Sequence, residues 1–301
     1  MKYVITGGAG FIGSNIAKLL VKNSHDVIII DNLHTSDMSR LKEIEDSIEF
    51  HNIDIRNKSD IKSVIKNVNG IFHEAALTIV SESFKKTEEY FDVNVNGTKN
   101  IFEIAKKLET KVVFASSSSV YGDVNSIPIN EKNSRNPINP YGETKVKKEN
   151  LASKFWKDNS KVVGLRYFNV YGKGQTGSYA GVITQFLRCI NEKTSLLIHG
   201  NGNQIRDFIS VEDIAKANLT VMQSNVNEGF FNVGTSIPTS IFDLANIMIK
   251  ISKLDLKLIF DKEQPGDIGK SLADTLLFIK KTGWKYEINL NDGLKKLIND
   301  F

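Results

Sequence analysis

The sequence predicts an α/β protein with a doubly wound parallel sheet and a smaller second domain. Short apolar runs rich in β-branched residues alternate with segments whose apolar residues recur at helical spacing. Strands that are apolar throughout are typical of a parallel sheet with helices on both faces, which is the doubly wound arrangement. After about Arg166 the alternation becomes less regular and glycines cluster, which indicates a change of domain.

The alternation assigns a position to each predicted element. Strands are predicted at residues 2–6, 27–30, 70–74, 111–115 and 161–167, and helices at residues 12–21, 59–68, 88–107 and 141–157. Residues 1–165 are therefore expected to form the first domain, and residues 208–233 are expected to return to it. Residues 166–301 are expected to form a smaller α/β domain that binds the substrate.

Composition limits the classes of function. The chain has 301 residues and a net charge of +4, but its lysines are dispersed among acids, so no nucleic-acid partner is expected. Cys189 is the only cysteine and lies in an apolar run, which favours a small core residue. The histidines are far apart, so no metal site is predicted. Only Met1 and Lys2 precede the apolar part of the first predicted strand, and no apolar run approaches the roughly 20 residues of a membrane span. A cytoplasmic protein without a membrane partner is expected.

A glycine-rich turn follows the first predicted strand. Residues 7–13 read Gly-Gly-Ala-Gly-Phe-Ile-Gly, with a strand before them and a helix after them. Glycine is needed where such a turn tightens, where a pyrophosphate approaches, and where the helix meets the strand. The helix N-terminus then offers N–H groups and its dipole to phosphate. In this context the turn predicts a dinucleotide-binding Rossmann domain.

Asp31 ends the second predicted strand, 18 residues after Gly13. A carboxylate there would accept hydrogen bonds from the adenosine ribose hydroxyls and would repel a 2′-phosphate. The cofactor predicted is therefore NAD, and NADP is disfavoured. The alternative is that Asp31 only caps a loop.

Tyr141 and Lys145 are four residues apart and therefore share one face of a predicted helix. A phenol is hardly ionised at neutral pH, but a nearby ammonium and a cationic nicotinamide ring both favour the phenolate. The pair therefore predicts an acid/base with its activator, and the lysine can also hold the nicotinamide ribose. The alternative is an ordinary surface helix.

A run of serines, residues 116–119, follows the strand at residues 111–115. Hydroxyls at the carboxyl end of a strand lie where ligands bind to open α/β sheets. One of them is a candidate to hydrogen-bond a reacting sugar oxygen. The alternative is a turn whose hydroxyls bind local backbone, and both roles are compatible.

With these motifs, the chain resembles the extended short-chain dehydrogenase/reductase family, and within it most closely the UDP-hexose 4-epimerases. The resemblance covers nearly the whole chain. Besides the motifs above, it rests on residues 31–33, 54–55, 73–76, 94–98, 166–169 and 202–208. These segments match the family in order and spacing.

The resemblance implies roles for individual residues. Ser117 would be the catalytic hydroxyl, Tyr141 the acid/base and Lys145 its activator. The cofactor would be bound by Tyr141 and Lys145 together with Gly7, Gly10, Phe11, Ile12, Gly13, Asp31, Asn32, Asp54, Ile55, Ala75, Ala76, Asn94 and Phe168. The substrate would contact Ser117, Tyr141, Asn169, Arg206 and Ser271. Arg206 also suits phosphate by its own chemistry, because a guanidinium can bind two phosphate oxygens at once. The alternative for Arg206 is a salt bridge to Asp207 or Asp213.

The implied function is NAD-dependent 4-epimerisation of a UDP-hexose through a transient 4-keto sugar. Three positions vary from the family pattern. Gln264 stands where an arginine commonly grips the diphosphate, with Lys262 or Lys270 as weaker substitutes. Ser271 stands where glucose-restricted members carry tyrosine, which would leave space for an N-acetyl group. Thr78 stands where some epimerases have a lysine.

Several alternatives share the scaffold. The 4,6-dehydratases carry an Asp-Glu pair where this chain has Ser118 and Ser119, and uronate decarboxylases usually keep a glutamate at Ser119. A UDP-glucuronate 4-epimerase stays open, although such enzymes tend to have threonine at Asn169. An NADPH-dependent 4-keto reductase is disfavoured by Asp31. A non-catalytic NAD-binding regulator would not need Tyr141, Lys145 and Ser117. The family often dimerises through two helices, here residues 88–107 and 141–157, so a homodimer is expected.

Overall fold

A computed structural model describes residues 1–175, 181–263 and 268–300 of the chain. Its strands are β1 (Lys2–Thr6), β2 (Asp26–Asp31), β3 (Ile48–Asn52), β4 (Gly70–His73), β5 (Lys111–Ser117), β6 (Val162–Tyr167), β7 (Asn169–Tyr171), β8 (Leu196–His199), β9 (Ile205–Arg206), β10 (Phe208–Ser210), β11 (Glu228–Val233), β12 (Thr239–Ser240) and β13 (Leu258–Asp261). Its α-helices are α1 (Phe11–Lys22), α2 (Lys58–Val64), α3 (Val80–Ser83), α4 (Thr87–Phe91), α5 (Thr98–Lys107), α6 (Pro140–Trp156), α7 (Val182–Asn191), α8 (Val211–Gln223), α9 (Ile241–Ser252), α10 (Leu276–Thr282) and α11 (Leu290–Asn299).

Seven strands form one parallel sheet in the order β3-β2-β1-β4-β5-β6-β11. The predicted fold class, a doubly wound α/β sheet, is confirmed. The strand order changes direction between β1 and β4, which is where ligands bind in open α/β sheets, beyond the carboxyl ends of the strands.

Each face of this sheet packs on its own apolar cluster. Neighbouring residues of one strand point to opposite faces, so Val4 and Ile5 of β1 are both fully buried but in different clusters. The cluster with Ile5 includes Ile16 of α1 and Ile214 of α8, and the cluster with Val4 includes Ile101 of α5. Burial on both faces explains why these strands are apolar throughout.

A third apolar cluster lies outside the large sheet. It joins α7, α9 and α11 to the parallel pair β8 and β13, and Phe186, Ile198, Leu244 and Leu294 are buried in it. Cys189 is half-buried against this cluster. Residues 208–233 contribute β10, α8 and β11, and β11 pairs with β6 at the edge of the large sheet.

Two local features differ from the sequence prediction. The predicted helix at residues 88–107 is interrupted by a π-helical turn, Asp92–Gly97, between α4 and α5. At Gly97 a Cβ would lie 2.6 Å from the Ile55 side chain, so the chain passes close to the loop after β3. Strand β3 was not predicted, because it is half-exposed and lacks a continuous apolar run.

In the described part of the chain, no helix is both long and apolar enough to cross a membrane.

Candidate active site

The glycine turn leaves no space for side chains at Gly7 and Gly13. Gly7 has φ +70°, and a Cβ there would lie 2.5 Å from the backbone nitrogen of Ala75. A Cβ on Gly13 would lie 2.2 Å from the Gly7 carbonyl oxygen. Helix α1 begins at Phe11, directly before Ile12, and its N-cap is Gly10, which has no side chain to cap it. The turn and the helix start therefore form a cradle of backbone groups suited to a pyrophosphate.

Asp31 ends β2 beside this turn and is 8% exposed. Its Oδ2 accepts a hydrogen bond from the Ala9 backbone N–H at 3.0 Å. Its Oδ1 accepts from the Leu33 N–H at 2.8 Å and from Ser36 Oγ at 3.1 Å. Asp31 thus does cap a loop, as the alternative held. Because a carboxylate has about four acceptor sites, Oδ2 keeps capacity for a ribose hydroxyl.

Asn32 and Asp54 meet beyond the ends of β2 and β3. The Asn32 amide donates to Asp54 Oδ2 at 3.0 Å, and Arg56 donates to both carboxylate oxygens, at 2.7 Å from Nη2 and 3.0 Å from Nε. The hydrogen bonds from Arg56 lower the pKa of Asp54 to about 2. Ile55, between Asp54 and Arg56 in the chain, is buried and lies against Gly97. Sequence reasoning missed Arg56, although its position two residues after Asp54 was a visible signal.

The loop after β4, which carries Ala75 and Ala76, is held by Asn94. The buried Asn94 amide accepts from the Leu77 N–H at 2.8 Å and donates to the Leu77 carbonyl at 3.0 Å. It also donates to Thr144 Oγ1 of α6 at 3.0 Å. Asn94 therefore ties this loop to the helix that carries Tyr141.

The three predicted catalytic residues lie together at the carboxyl end of β5. Lys145 is 2% exposed, and its Nζ donates to the Ala115 carbonyl at 3.1 Å. The same Nζ lies 5.4 Å from the centroid of the Tyr141 ring. Ser117 is the last residue of β5, and its Oγ accepts from the Ser119 N–H at 3.1 Å. The Ser117 hydroxyl thus caps a turn and still has its proton to donate. The burial of Lys145 contradicts an ordinary surface helix.

A buried ion pair fastens α6 to the sheet at this point. Glu149, which is fully buried, accepts from Arg166 Nε at 2.8 Å and Nη2 at 2.7 Å, and from Ser116 Oγ at 2.6 Å. The Arg166 Nη1 also donates to the Tyr121 hydroxyl at 2.7 Å. This network sets the position of Tyr141 and Lys145 relative to Ser117. Sequence reasoning gave Glu149 and Arg166 no role, although Glu149 is four residues after Lys145.

Two further titratable groups beside the site were missed. Glu74 accepts from the Tyr167 hydroxyl at 3.0 Å, and burial raises the pKa of Glu74 to about 7. Lys148 is fully buried next to the Phe114 ring, and burial holds its pKa well below the usual range. Glu74 directly precedes Ala75 and Ala76, which the resemblance assigns to the cofactor. Lys148 had no signal beyond its spacing from Lys145.

His73 is the last residue of β4 and is locked in one neutral tautomer. Thr98 donates its hydroxyl proton to the Asn94 carbonyl at 2.6 Å, so it accepts from His73 Nε2 at 2.8 Å. His73 Nδ1 then accepts from Thr6 Oγ1 at 2.6 Å. Burial keeps the pKa of His73 well below its ordinary value.

The predicted substrate residues lie in segments that touch one another. Ser271 is buried, and its N–H donates to the carbonyl of Ile205, the neighbour of Arg206, at 2.9 Å. Asn169, which follows the buried Phe168, donates its N–H to the Asp207 carbonyl at 2.9 Å.

The structure also locates most of the positions that vary from the family pattern, and the alternative partners of Arg206. Lys262, Lys270 and Thr78 are exposed. Gln264 lies outside the described residues. The carboxylates of Asp207 and Asp213, the alternative partners of Arg206, accept backbone N–H groups from other segments, including those of Thr235 at 2.7 Å and Ile288 at 3.0 Å.

Comparisons with known proteins show which family the sequence matches. Residues 3–234 match the family described as "NAD dependent epimerase/dehydratase family". A "Putative UDP-glucose 4-epimerase" of Methanocaldococcus jannaschii is 40% identical, over 98% of this chain and 97% of that protein. A "UDP-N-acetyl-alpha-D-glucosaminuronate decarboxylase" of Bacillus cytotoxicus is 32% identical, over 99% of this chain and 97% of that protein.

A solved structure, a UDP-N-acetylglucosamine 4-epimerase from Methanobrevibacter ruminantium in complex with UDP-N-acetylmuramic acid, is 33% identical to the chain. It superposes with a TM-score of 0.95 over 99% of this chain and 97% of that one.

Proposed function

The chain belongs to the NAD dependent epimerase/dehydratase family, and from that premise we propose that it is a UDP-hexose 4-epimerase. The resemblance to this family noted in the sequence is confirmed, and with it the prediction of NAD as cofactor. The observation that carries the proposal is the convergence of Ser117, Tyr141 and Lys145 at the end of β5.

The described residues fit NAD. Side chains at Gly7 or Gly13 would collide with backbone, so the turn is a cradle that only glycine can form. We assign the pyrophosphate to this turn and the adenosine ribose to Asp31. We also assign NAD binding to residues 1–165 and 208–233, and the nucleotide sugar to residues 166–301. Asn94 acts in this assignment by holding the loop that carries Ala75.

In the proposed reaction, the residues of the chain move one proton between the sugar 4-oxygen and Tyr141. NAD, when bound, supplies the acceptor and donor of hydride at the sugar C4. Tyr141, with Lys145 as its activator, is assigned to take the proton of the 4-hydroxyl. Ser117 donates a hydrogen bond to the same sugar oxygen. After the 4-keto sugar has turned over in the site, Tyr141 returns the proton to the 4-oxygen.

The residues that follow Ser117 argue against the related eliminations. A 4,6-dehydratase needs an acid and a base where this chain has Ser118 and Ser119, and a uronate decarboxylase usually keeps a glutamate at Ser119. A serine hydroxyl cannot replace a carboxylate as a base near neutral pH. In this proposal, the chain therefore shares its scaffold with the decarboxylase of Bacillus cytotoxicus but not its reaction.

The substrate side is assigned to Asn169, Arg206 and Ser271. Arg206 and Asn169 would hold the diphosphate, and the small Ser271 would leave room for an N-acetyl group. UDP-glucose and UDP-GlcNAc are thus both proposed as substrates. We further propose a cytoplasmic homodimer whose interface is built from α4, α5 and α6.

The test is NMR analysis of products formed from UDP-glucose, UDP-GlcNAc and UDP-glucuronate. The proposal expects the 4-epimer of at least one of the two neutral sugars, with no net consumption of NAD. It also expects transient absorbance of reduced nicotinamide after UDP-sugar is added. Loss of carbon dioxide or water from the substrate, or a silent spectrum with unchanged sugars, would refute it. Conversion of UDP-glucuronate only would favour the uronate 4-epimerase.

A further inference from the structure

One buried residue, Asp207, joins the chain segments to which substrate binding is assigned, partly through its carboxylate and partly through its backbone. Asp207 is fully buried and follows Arg206 directly. Its Oδ1 accepts from the Thr235 N–H and from Thr235 Oγ1, both at 2.7 Å. Its Oδ2 accepts from the Ser236 N–H at 2.9 Å and from the Ala273 N–H at 3.1 Å. All four acceptor sites of this carboxylate are therefore engaged by protein donors.

Backbone hydrogen bonds at Ile205 and Asp207 connect the same chain segments. The Asp207 carbonyl accepts from the Asn169 N–H at 2.9 Å, and the Ile205 carbonyl accepts from the Ser271 N–H at 2.9 Å. The chains pack so closely that a Cβ on Gly234 would lie 2.6 Å from Asp207 Oδ2 and 2.8 Å from Ala273 Cβ. The segments that carry Asn169, Arg206 and Ser271 therefore have one common anchor.

We propose that Asp207 is a positioning residue for the nucleotide sugar, which sets substrate affinity by fixing these three segments relative to one another. The inference rests on the proposed function of Asn169, Arg206 and Ser271. Asp207 does not itself touch the substrate, because its oxygens are occupied by Thr235, Ser236 and Ala273.

Loss of the Asp207 hydrogen bonds should weaken substrate binding and leave the chemical step unchanged. Tyr141, Lys145 and Ser117 lie on α6 and β5, which are fastened by Glu149 and Arg166 and not by Asp207. Displacing the substrate segments removes binding energy from the ground state and the transition state alike, which raises KM and leaves kcat. The glycine turn is also independent of Asp207, so NAD content should not change.

The main variant is Asp207→Asn, which keeps the shape but turns an NH2 group toward N–H donors. At least one donor loses its partner, so we expect KM for the UDP-sugar and Kd for UDP to rise about 10- to 100-fold. We expect kcat to stay within about threefold, because the reacting groups are held elsewhere. Binding of UDP, measured by calorimetry, gives a readout that does not depend on turnover.

Asp213→Asn is the matched control. Asp213 is also fully buried, lies six residues further along, and accepts from the Glu287 and Ile288 N–H groups at 3.0 Å each. Its partners belong to the segment before α11 and not to the substrate segments. Both variants should lose thermal stability, but only Asp207→Asn should weaken UDP binding.

A milder pair of variants keeps the test informative if Asp207→Asn does not fold. Thr235→Val removes one of the four donors to Asp207, and Thr235→Ser keeps it. We expect weaker UDP binding in the first and recovery in the second.

Equal Kd values for UDP in wild type, Asp207→Asn and Thr235→Val would overturn the inference, as would a fall in kcat without a change in KM. If the wild type binds UDP but does not epimerise UDP-hexoses, the proposed function fails while the UDP-binding comparison still tests Asp207.

Discussion

Alanine substitutions in the glycine turn should separate loss of cofactor from loss of stability. In Gly13→Ala the new Cβ would lie 2.2 Å from the Gly7 oxygen and 2.8 Å from the Gly8 Cα, whereas ordinary contacts begin near 3.4 Å. Helix α1 must therefore move away from the turn by more than 1 Å, since backbone on both sides cannot rotate aside. The turn resists this movement because the Gly7 N–H is bonded to the Ile30 carbonyl at 2.8 Å.

The expected magnitude follows from this overlap. Overpacking in a close-packed interior costs about 1–3 kcal/mol, so Gly13→Ala should lose about 2 kcal/mol of stability and most of its bound NAD. In Gly10→Ala the Cβ meets only the Gly7 oxygen, at 3.1 Å, which a shift of a few tenths of an ångström relieves. Its stability loss should stay below about 1 kcal/mol, but the methyl group would occupy space that the pyrophosphate needs. Gly269→Ala is the control, because the nearest atom lies 4.0 Å away.

The assay combines NAD content per chain, measured after acid release, with urea unfolding of the NAD-free protein. Gly13→Ala should fail in both measurements, Gly10→Ala mainly in NAD content, and Gly269→Ala in neither. If Gly10→Ala retains stoichiometric NAD, or if Gly13→Ala is as stable as Gly10→Ala, the account of the turn is wrong.

Three further variants test the catalytic pair, the sugar pocket and the buried acid. Tyr141→Phe should keep NAD but lower kcat about 10³-fold, measured by coupled assay; near-normal turnover would remove Tyr141 as the acid/base. Ser271→Tyr should suppress turnover of UDP-GlcNAc while sparing UDP-glucose, and equal loss of both would contradict the proposed space for an N-acetyl group. Glu74 holds a proton in the folded state between its ordinary pKa of 4.5 and about 7, so folding stability should fall as pH rises through that window. Glu74→Gln should lack this fall and be about 3 kcal/mol more stable than wild type at pH 8, with no difference at pH 4; parallel pH profiles of urea unfolding would contradict it.

The parts of the site that sequence reasoning found are those defined by residues close together in the chain. The glycine turn, Asp31, and the pair Tyr141 and Lys145 each depend on one strand–turn–helix unit or one helix face, whose geometry follows from spacing. The sheet itself was predictable because burial on both faces makes its strands apolar. Strand β3 escaped because it is half-exposed and its residues therefore carry a mixed pattern.

The parts that sequence reasoning missed are buried charges whose partners are distant in the chain. Glu149 and Arg166 look like surface residues until the pairing of β5 with β6 places Arg166 under α6, where it meets Glu149 of that helix. Asp207 accepts from donors 28 to 66 residues away. A carboxylate in a linear sequence does not reveal which donors surround it, and burying one without such donors is costly. Their roles required the tertiary structure.

The arrangement of these anchors suits the demands of an epimerase. Such an enzyme must hold the nucleotide firmly while the hexose turns over, so binding energy should be concentrated away from the reacting ring. The residues proposed for the diphosphate, Asn169 and Arg206, lie in segments joined at the Asp207 carbonyl, which accepts from the Asn169 N–H at 2.9 Å. The Asp207 carboxylate accepts four further hydrogen bonds of 2.7 to 3.1 Å from Thr235, Ser236 and Ala273. The residues proposed to face the sugar, Ser117 and Ser271, have short side chains that leave space and offer single hydroxyl groups. Different residues therefore produce the rigidity around the diphosphate and the open space around the sugar. Mutations can change one of these two properties while the other stays as it is.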